Sequence, residues 1–155
     1  MVSLSQRLVP QDSSHSEDSF LIQEAPLSLE VVHGGANAPA NGAIVIMSGT
    51  VRNQTQGRSV TALEYQVYEP MAIAVFQEIG AEIRHQWMEV NRVVMHHRWG
   101  HLRVGDISVL VAVGTPHRAT AFAACQYAID SLKARAPIWK KEWYGDRDYR
   151  WVQGC

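Results

Sequence analysis

The 155-residue sequence predicts an α+β fold built on a mixed or mainly antiparallel sheet. Three observations carry that reading. Segments with strand and helix patterns follow one another as strand, short helix, two strands, helix, two strands, helix, two strands. That order sets strands beside strands, unlike the strict alternation of a doubly wound parallel fold. Two stretches, 69–87 and 116–135, carry apolar residues at helical spacing and are long enough to be the principal helices. The composition, 46% hydrophobic and 19% charged, suits one globular core rather than a disordered chain.

Residues 1–18 are polar and include Ser13, Ser14 and Ser16, so a flexible N-terminal tail is expected ahead of a single domain over 19–155. Phe20-Leu21-Ile22-Gln23 reads as a first short strand. Ser28 is an N-cap candidate for a short helix through Val31 and Val32, ended by Gly34-Gly35. Residues 36–41 form a small-residue loop, and the glycines that flank it, Gly34, Gly35 and Gly42, lack the closing Gly-Lys-Ser/Thr of a phosphate loop. Residues 42–52 are apolar enough for a central strand. A polar turn over 53–59 contains Gly57, and 60–68 alternates as the returning strand.

Glu69-Pro70 opens a helix to about Trp87, with Ile73, Phe76, Ile79 and Ile83 on one face. Residues 90–98 and 107–115 read as two strands of a hairpin whose connection holds Gly100 and Gly105. Thr115-Pro116 offers an N-cap oxygen and a proline at the first helical position, and Phe122, Cys125, Ile129 and Leu132 supply the buried stripe of the next helix. Pro137 has no N–H and pushes Ala136 out of the α region, so that helix should stop near Arg135. A last hairpin, 138–144 with 149–152, turns around Gly145-Asp146.

Several function classes are disfavoured. A formal net charge of −1, with five tryptophans and no basic stripe around them, argues against a nucleic-acid binder. Cys125 and Cys155 make neither a disulfide framework nor a zinc spacing. His85, His96, His97 and His101 form no His-x-x-x-His pair on a helix, so no metal site is expected. No run spans a bilayer and residues 1–19 lack a signal-peptide core, which makes the cytoplasm the default location, with no membrane partner. Ser48 sits in Met-Ser-Gly-Thr rather than a nucleophile elbow, and no carboxylate pair stands out. Any catalysis therefore falls to lysines and arginines acting on an anionic or carbonyl substrate.

Those cations lie at the edges of elements. Lys133 falls in a last helical turn, where the dipole favours it whether it serves a site or only solvates the helix end. Lys140 and Lys141 point to opposite faces of an extended segment, so one can turn back beside Lys133 while the other stays in solvent. Arg52 ends a strand. His117 and Arg118 occupy a first helical turn, where the dipole disfavours cations. An anionic ligand at the helix N-terminus explains that placement, and so does an arginine paired with a distant carboxylate.

Ser48-Gly49-Thr50-Val51-Arg52-Asn53, Leu63-Glu64-Tyr65, Tyr68-Glu69-Pro70-Met71, His96-His97-Arg98-Trp99-Gly100, Val104-Gly105-Asp106, Pro116-His117-Arg118 and Arg150-Trp151-Val152 resemble the large, catalytic subunit family of molybdopterin synthase. The strongest signature is Leu132-Lys133-Ala134-Arg135-Ala136-Pro137-Ile138-Trp139-Lys140-Lys141-Glu142, and the likeness spans about residues 20–153. The resemblance implies an α/β hammerhead-type fold with a small additional β subdomain. It implies a homodimer at the centre of a heterotetramer, whose outer subunits are small ubiquitin-like sulfur carriers ending in a Gly-Gly thiocarboxylate. Two sulfur transfers would convert cyclic pyranopterin monophosphate into the molybdopterin dithiolene. On this resemblance Lys133 and Lys140 match the catalytic lysines, Arg52, His117 and Arg118 match the anion-binding residues, and no cofactor is implied.

Positioned cations suit a reaction whose thiocarboxylate, phosphate and transient oxyanions are all negative, and a lysine among other cations has its charged form disfavoured. Met47, where the family often has an aromatic residue, and Gln54-Thr55, in place of a more usual His-Asn, change pocket shape rather than chemistry. A second reading, from another class, is a non-catalytic docking module for a ubiquitin-like partner or a phosphorylated ligand. A module of that kind need keep only a groove, whereas here all five site candidates are present. A straight helix over 116–135 separates His117-Arg118 from Lys133 by roughly 23 Å, so if both ends serve one pocket they come from two copies of the chain.

Overall fold

The computed structural model describes residues 17–154. The tail expected over 1–18 lies outside the described residues except for Glu17 and Asp18, which are tied down: Glu17 pairs with Arg92, and Asp18 takes both arms of the Arg84 guanidinium and the Val93 N–H.

Among the described residues the chain forms nine strands and three helices: β1 (Ser19–Gln23), α1 (Leu29–Ala36), β2 (Ala43–Thr50), β3 (Gln54–Thr55), β4 (Arg58–Val67), α2 (Glu69–Gln86), β5 (Arg92–Arg98), β6 (Gly100–Arg103), β7 (Ile107–Thr115), α3 (Arg118–Arg135), β8 (Ile138–Tyr144) and β9 (Tyr149–Gln153). They build two sheets. The first runs β1-β5-β7-β2 and is mixed, since β1 lies parallel to β5 and the other pairs are antiparallel. The second is antiparallel, runs β3-β4-β8-β9 with β6 on the other edge of β4, and is the small additional β unit of the expected architecture.

The apolar runs of β5 and β7 follow from burial on both faces of the first sheet. Val93, Met95, Val109, Val111 and Val113 share a core with Phe76, Ile79 and Ile83 of α2 and Ala124, Ala128 and Leu132 of α3. The alternate residues Val94, Leu110 and Ala112 meet Leu27, Val32 and Ala36 around α1. Val60, Leu63 and Tyr65 of β4, Leu102 of β6 and Ile138 of β8 complete the larger core from the second sheet. α1 begins as expected, with the Ser28 hydroxyl accepting the Val31 N–H at 3.1 Å. No helix among the described residues is long and apolar enough to cross a membrane.

Three local expectations are corrected. β5 and β7 are antiparallel neighbours, but their connection is not a simple hairpin loop. It carries β6 across to pair with β4, and Gly100, at φ +91°, makes the left-handed turn that lets the chain leave one sheet for the other. The N-cap of α3 is His117 rather than Thr115. Thr115 is still the last residue of β7, fully buried, and its hydroxyl donates to the His117 carbonyl at 2.6 Å. Phe122 is 61% exposed, because the face of α3 turned to the sheet is made of Ala121, Ala124, Cys125, Ala128, Ile129 and Leu132. Small residues there let the helix approach the strands closely. The end of α3 is as expected, with the Ala136 N–H reaching the Leu132 carbonyl before Pro137.

Candidate active site

At the seam between the two sheets, under the last turn of α3, lies a cavity of about 240 Å³. Six segments line it. The end of β2 and the residues after it contribute Met47, Gly49, Thr50 and Arg52; β3 contributes Thr55; β4 contributes Leu63 and Tyr65; β7 contributes Ser108; α3 contributes Lys133; and β8 contributes Lys140 and Glu142. Arg52, Lys133 and Lys140 therefore meet at one cavity, although 81 and 7 residues separate them along the chain.

The backbone explains how Arg52 arrives. The register of β2 against β7 shifts between Gly49 and Thr50. A Cβ on Gly49 would stand 2.6 Å from Val109 Cγ1, so only glycine permits this close approach of the strands. Beyond the bulge, the Val51 N–H donates to the Asp106 carbonyl and the Val51 carbonyl accepts from Gly105, which holds the next residue, Arg52, at the rim.

Strand alternation sets the β8 side. Lys140 and Glu142 are two residues apart and share a face, opposite Tyr65 and Leu63 of β4. Lys140 Nζ lies 3.4 Å from Glu142 Oε1, and the Tyr144 hydroxyl donates to Glu142 Oε2 at 2.9 Å. The Glu142 side chain is only 4% exposed, so its charge is matched inside the protein rather than by water. The cavity presents three basic side chains against this single carboxylate.

Lys141 departs from expectation. It does turn away from the cavity, but not into open solvent: its ammonium stands 4.0 Å from the Tyr149 ring centroid, 4.3 Å from that of Trp143 and 5.6 Å from that of Trp151. Arg135, also within the signature, is structural. It ties α3 to α2 through hydrogen bonds to Glu82 and Glu78, and this contact, with a second from Tyr127, holds the Glu82 carboxyl below its ordinary pKa.

His117 and Arg118 do not line the cavity. They are exposed at the opposite end of α3, and neither takes part in the ion pairs of the described residues. Thus one chain assembles three of the five sequence-derived site residues. His96 and His97 are buried in β5, and burial lowers both pKa values, that of His97 to about 4. Burial likewise pushes the Cys125 thiol up to about 11, which leaves it an inert core residue.

Sequence reasoning missed Glu142, Tyr65 and Ser108. The signal for Glu142 was present, because the alternation that separates Lys140 from Lys141 also puts Glu142 on the Lys140 face. Tyr65 and Ser108 needed the strand register. Of the positions that depart from the family pattern, Met47 and Thr55 both line the cavity.

Comparison with known proteins gives this geometry a family. Residues 22–135 match the family model described as MoaE protein. The chain is 64% identical over 136 residues to a molybdopterin synthase catalytic subunit from a Nostoc species, covering 88% of this chain and 82% of that protein. It is 38% identical over 135 residues to the molybdopterin synthase catalytic subunit of Bacillus subtilis, covering 87% and 85%. The crystal structure of molybdopterin synthase from Staphylococcus aureus superposes with a TM-score of 0.80 at 38% identity, over 84% of this chain and 94% of that one. Sequence and fold agree over most of the chain, and it belongs to the MoaE family of molybdopterin synthase catalytic subunits.

Proposed function

We propose that this chain is a cytoplasmic sulfurtransferase that moves sulfur from the C-terminal thiocarboxylate of a small ubiquitin-like subunit to cyclic pyranopterin monophosphate, forming the molybdopterin dithiolene. The observation that carries the reading is the convergence of Arg52, Lys133 and Lys140 on one cavity from β2, α3 and β8. Every group the reaction must handle there is anionic: the thiocarboxylate, the phosphate, and the oxyanion that forms when water attacks the acyl–sulfur link. In this reading the sulfur displaces an oxygen from a carbon of the pterin side chain; that carbon–oxygen bond breaks and the oxygen leaves with its electron pair. Water then cleaves the acyl–sulfur bond. The water oxygen stays on the carrier as a carboxylate.

Lys133 and Lys140 are the catalytic residues of this proposal. They approach from different elements, and a charge that grows on the acyl oxygen between them is stabilised by groups already in place. Glu142 balances Lys140 and fixes the direction of its ammonium. Arg52 at the rim binds anionic substrate.

The cavity is smaller than the ~300–1,000 Å³ of common small-molecule sites, which suits a narrow glycine tail and leaves part of the pterin outside. His117 and Arg118 of a second copy complete the pocket in this proposal and hold the substrate phosphate at a helix N-terminus. That arrangement gives exposed cations at the N-terminus of α3 a use, and it calls for a two-fold homodimer with a small subunit at each end.

The test is incubation of the chain with thiocarboxylated carrier and the pyranopterin precursor, followed by mass analysis. The expected product carries two added sulfurs. Tight binding of the carrier with no sulfur gained by the pterin would replace this reading with that of a docking module.

A further inference from the structure

We propose that Tyr144 is a positioning residue for Lys140, acting through Glu142; this rests on the reading that Lys140 serves sulfur transfer. Residues 140, 142 and 144 share one face of β8, so the amine, the carboxylate and the phenol form a row. Glu142 has two oxygens with different duties. Oε2 accepts from the Tyr144 hydroxyl at 2.9 Å, and Oε1 lies 3.4 Å from Lys140 Nζ. With one oxygen held by the phenol, the carboxylate meets the lysine through the other and leaves the remaining ammonium hydrogens for the cavity.

Tyr144 is suited to this task. It is 5% exposed, and burial together with its bond to Glu142 raises its pKa above the ordinary value, so it remains a donor at neutral pH. Its ring is clamped from outside by the Arg58 guanidinium, 3.7 Å from the centroid, and Arg58 is itself held by Asp146 and Asp148 in the β8–β9 turn. A chain of contacts thus runs from that turn to the amine in the cavity.

The groups that face Lys140 and Glu142 are Tyr65 from β4, Lys133 from α3, Arg52 beyond β2 and, from β9, Arg150 opposite Glu142. Removing the phenol hydroxyl takes its hydrogen bond from Glu142 and leaves the charges of Arg58 and Arg150 beside the ring in place. A carboxylate that has lost a donor is more negative toward its remaining partner, so the Lys140 ammonium is held more tightly and gives up its proton at higher pH.

The experiment uses the full chain with its carrier subunit and NMR of isotope-labelled lysine side chains, Lys140 being assigned by its loss in Lys140→Ala. In Tyr144→Phe the Lys140 titration is expected to move to higher pH, with kcat lower by roughly 3- to 10-fold and KM for the pterin nearly unchanged. Adding Tyr144→Phe to Glu142→Gln should move the titration no further, because the tyrosine acts only through that carboxylate. An unmoved titration in the single variant, or an additive shift in the double variant, overturns the proposal. If Lys140→Ala itself keeps full activity, the sulfur-transfer role of Lys140 fails. The titration shift then still decides whether Tyr144 holds the lysine.

Discussion

Lys140 and Lys141 are neighbours in β8 and finish on opposite faces of the second sheet. The Lys140 ammonium is 3.4 Å from Glu142 at the cavity, and that of Lys141 is 4.0 Å from the Tyr149 ring centroid on the far side. Strand geometry alone divides two identical side chains into a group facing the chemistry and a group that packs a surface.

Lys140→Ala is therefore expected to reduce product formation severely, whereas Lys141→Ala should leave turnover nearly intact. The second substitution should instead cost about 0.5–1 kcal/mol of stability through the lost cation–π contacts. Turnover assays and denaturant midpoints on both variants separate the effects. Equal catalytic losses would refute the division of faces.

Lys133→Ala should nearly abolish product formation while leaving the fold intact. Its side chain is exposed at the end of α3, where the dipole interaction is worth only ~0.3–1 kcal/mol. Loss of a charge-stabilising group in a site raises a barrier by about 3–4 kcal/mol, a drop of roughly 10²–10³ in kcat. Single-turnover sulfur transfer beside a thermal melt checks both halves.

Mixing Lys133→Ala protein with Arg118→Ala protein, under conditions that exchange subunits, tests the pocket shared between two copies. Each mixed dimer would hold one doubly damaged pocket and one intact pocket, so activity should return to about half of wild type per mixed dimer. With exchange verified, absence of recovery would mean that the anion held at His117 and Arg118 is not the phosphate of the reacting substrate.

Acid should weaken the fold through His97. Its folded pKa of about 4 lies below the ordinary 6.5, the cause being burial, and its Nε2 has no hydrogen-bond partner among the described residues. The unfolded chain takes up the proton first. Stability is thus complete above pH 6.5 and falls as the pH drops toward 4, by about 3 kcal/mol for a difference of this size. His96, also lowered by burial, acts in the same direction. Urea midpoints at pH 7 and 4.5 should converge in His97→Gln relative to wild type. An unchanged acid loss in that variant would exclude His97 as a source.

Local patterns were readable where the physics is local. The Ser28 cap, Glu69-Pro70 at the start of α2 and the stop at Pro137 each depend on a few adjacent residues, and each stands where the sequence put it. β6 was not readable, because a four-residue strand with one buried side chain carries almost no periodicity of its own. It is a strand only because β4 offers it a partner. The start of α3 was misjudged for a similar reason. Thr115 has the chemistry of a cap, but the pairing of β7 with β2 holds it in the sheet through its last residue.

The sequence by itself determined the alternation of elements, the family likeness and the identity of the cations, since these follow from residue order, spacing and short motifs. Only the tertiary structure decided which cations share a cavity. Strand register brings β4 against β8 and sets Glu142 beside Lys140, and the β2 bulge carries Arg52 to the same rim. That His117 and Arg118 stand a helix length from Lys133 was already readable from the span of α3. A rigid helix cannot bring its two ends to one small pocket.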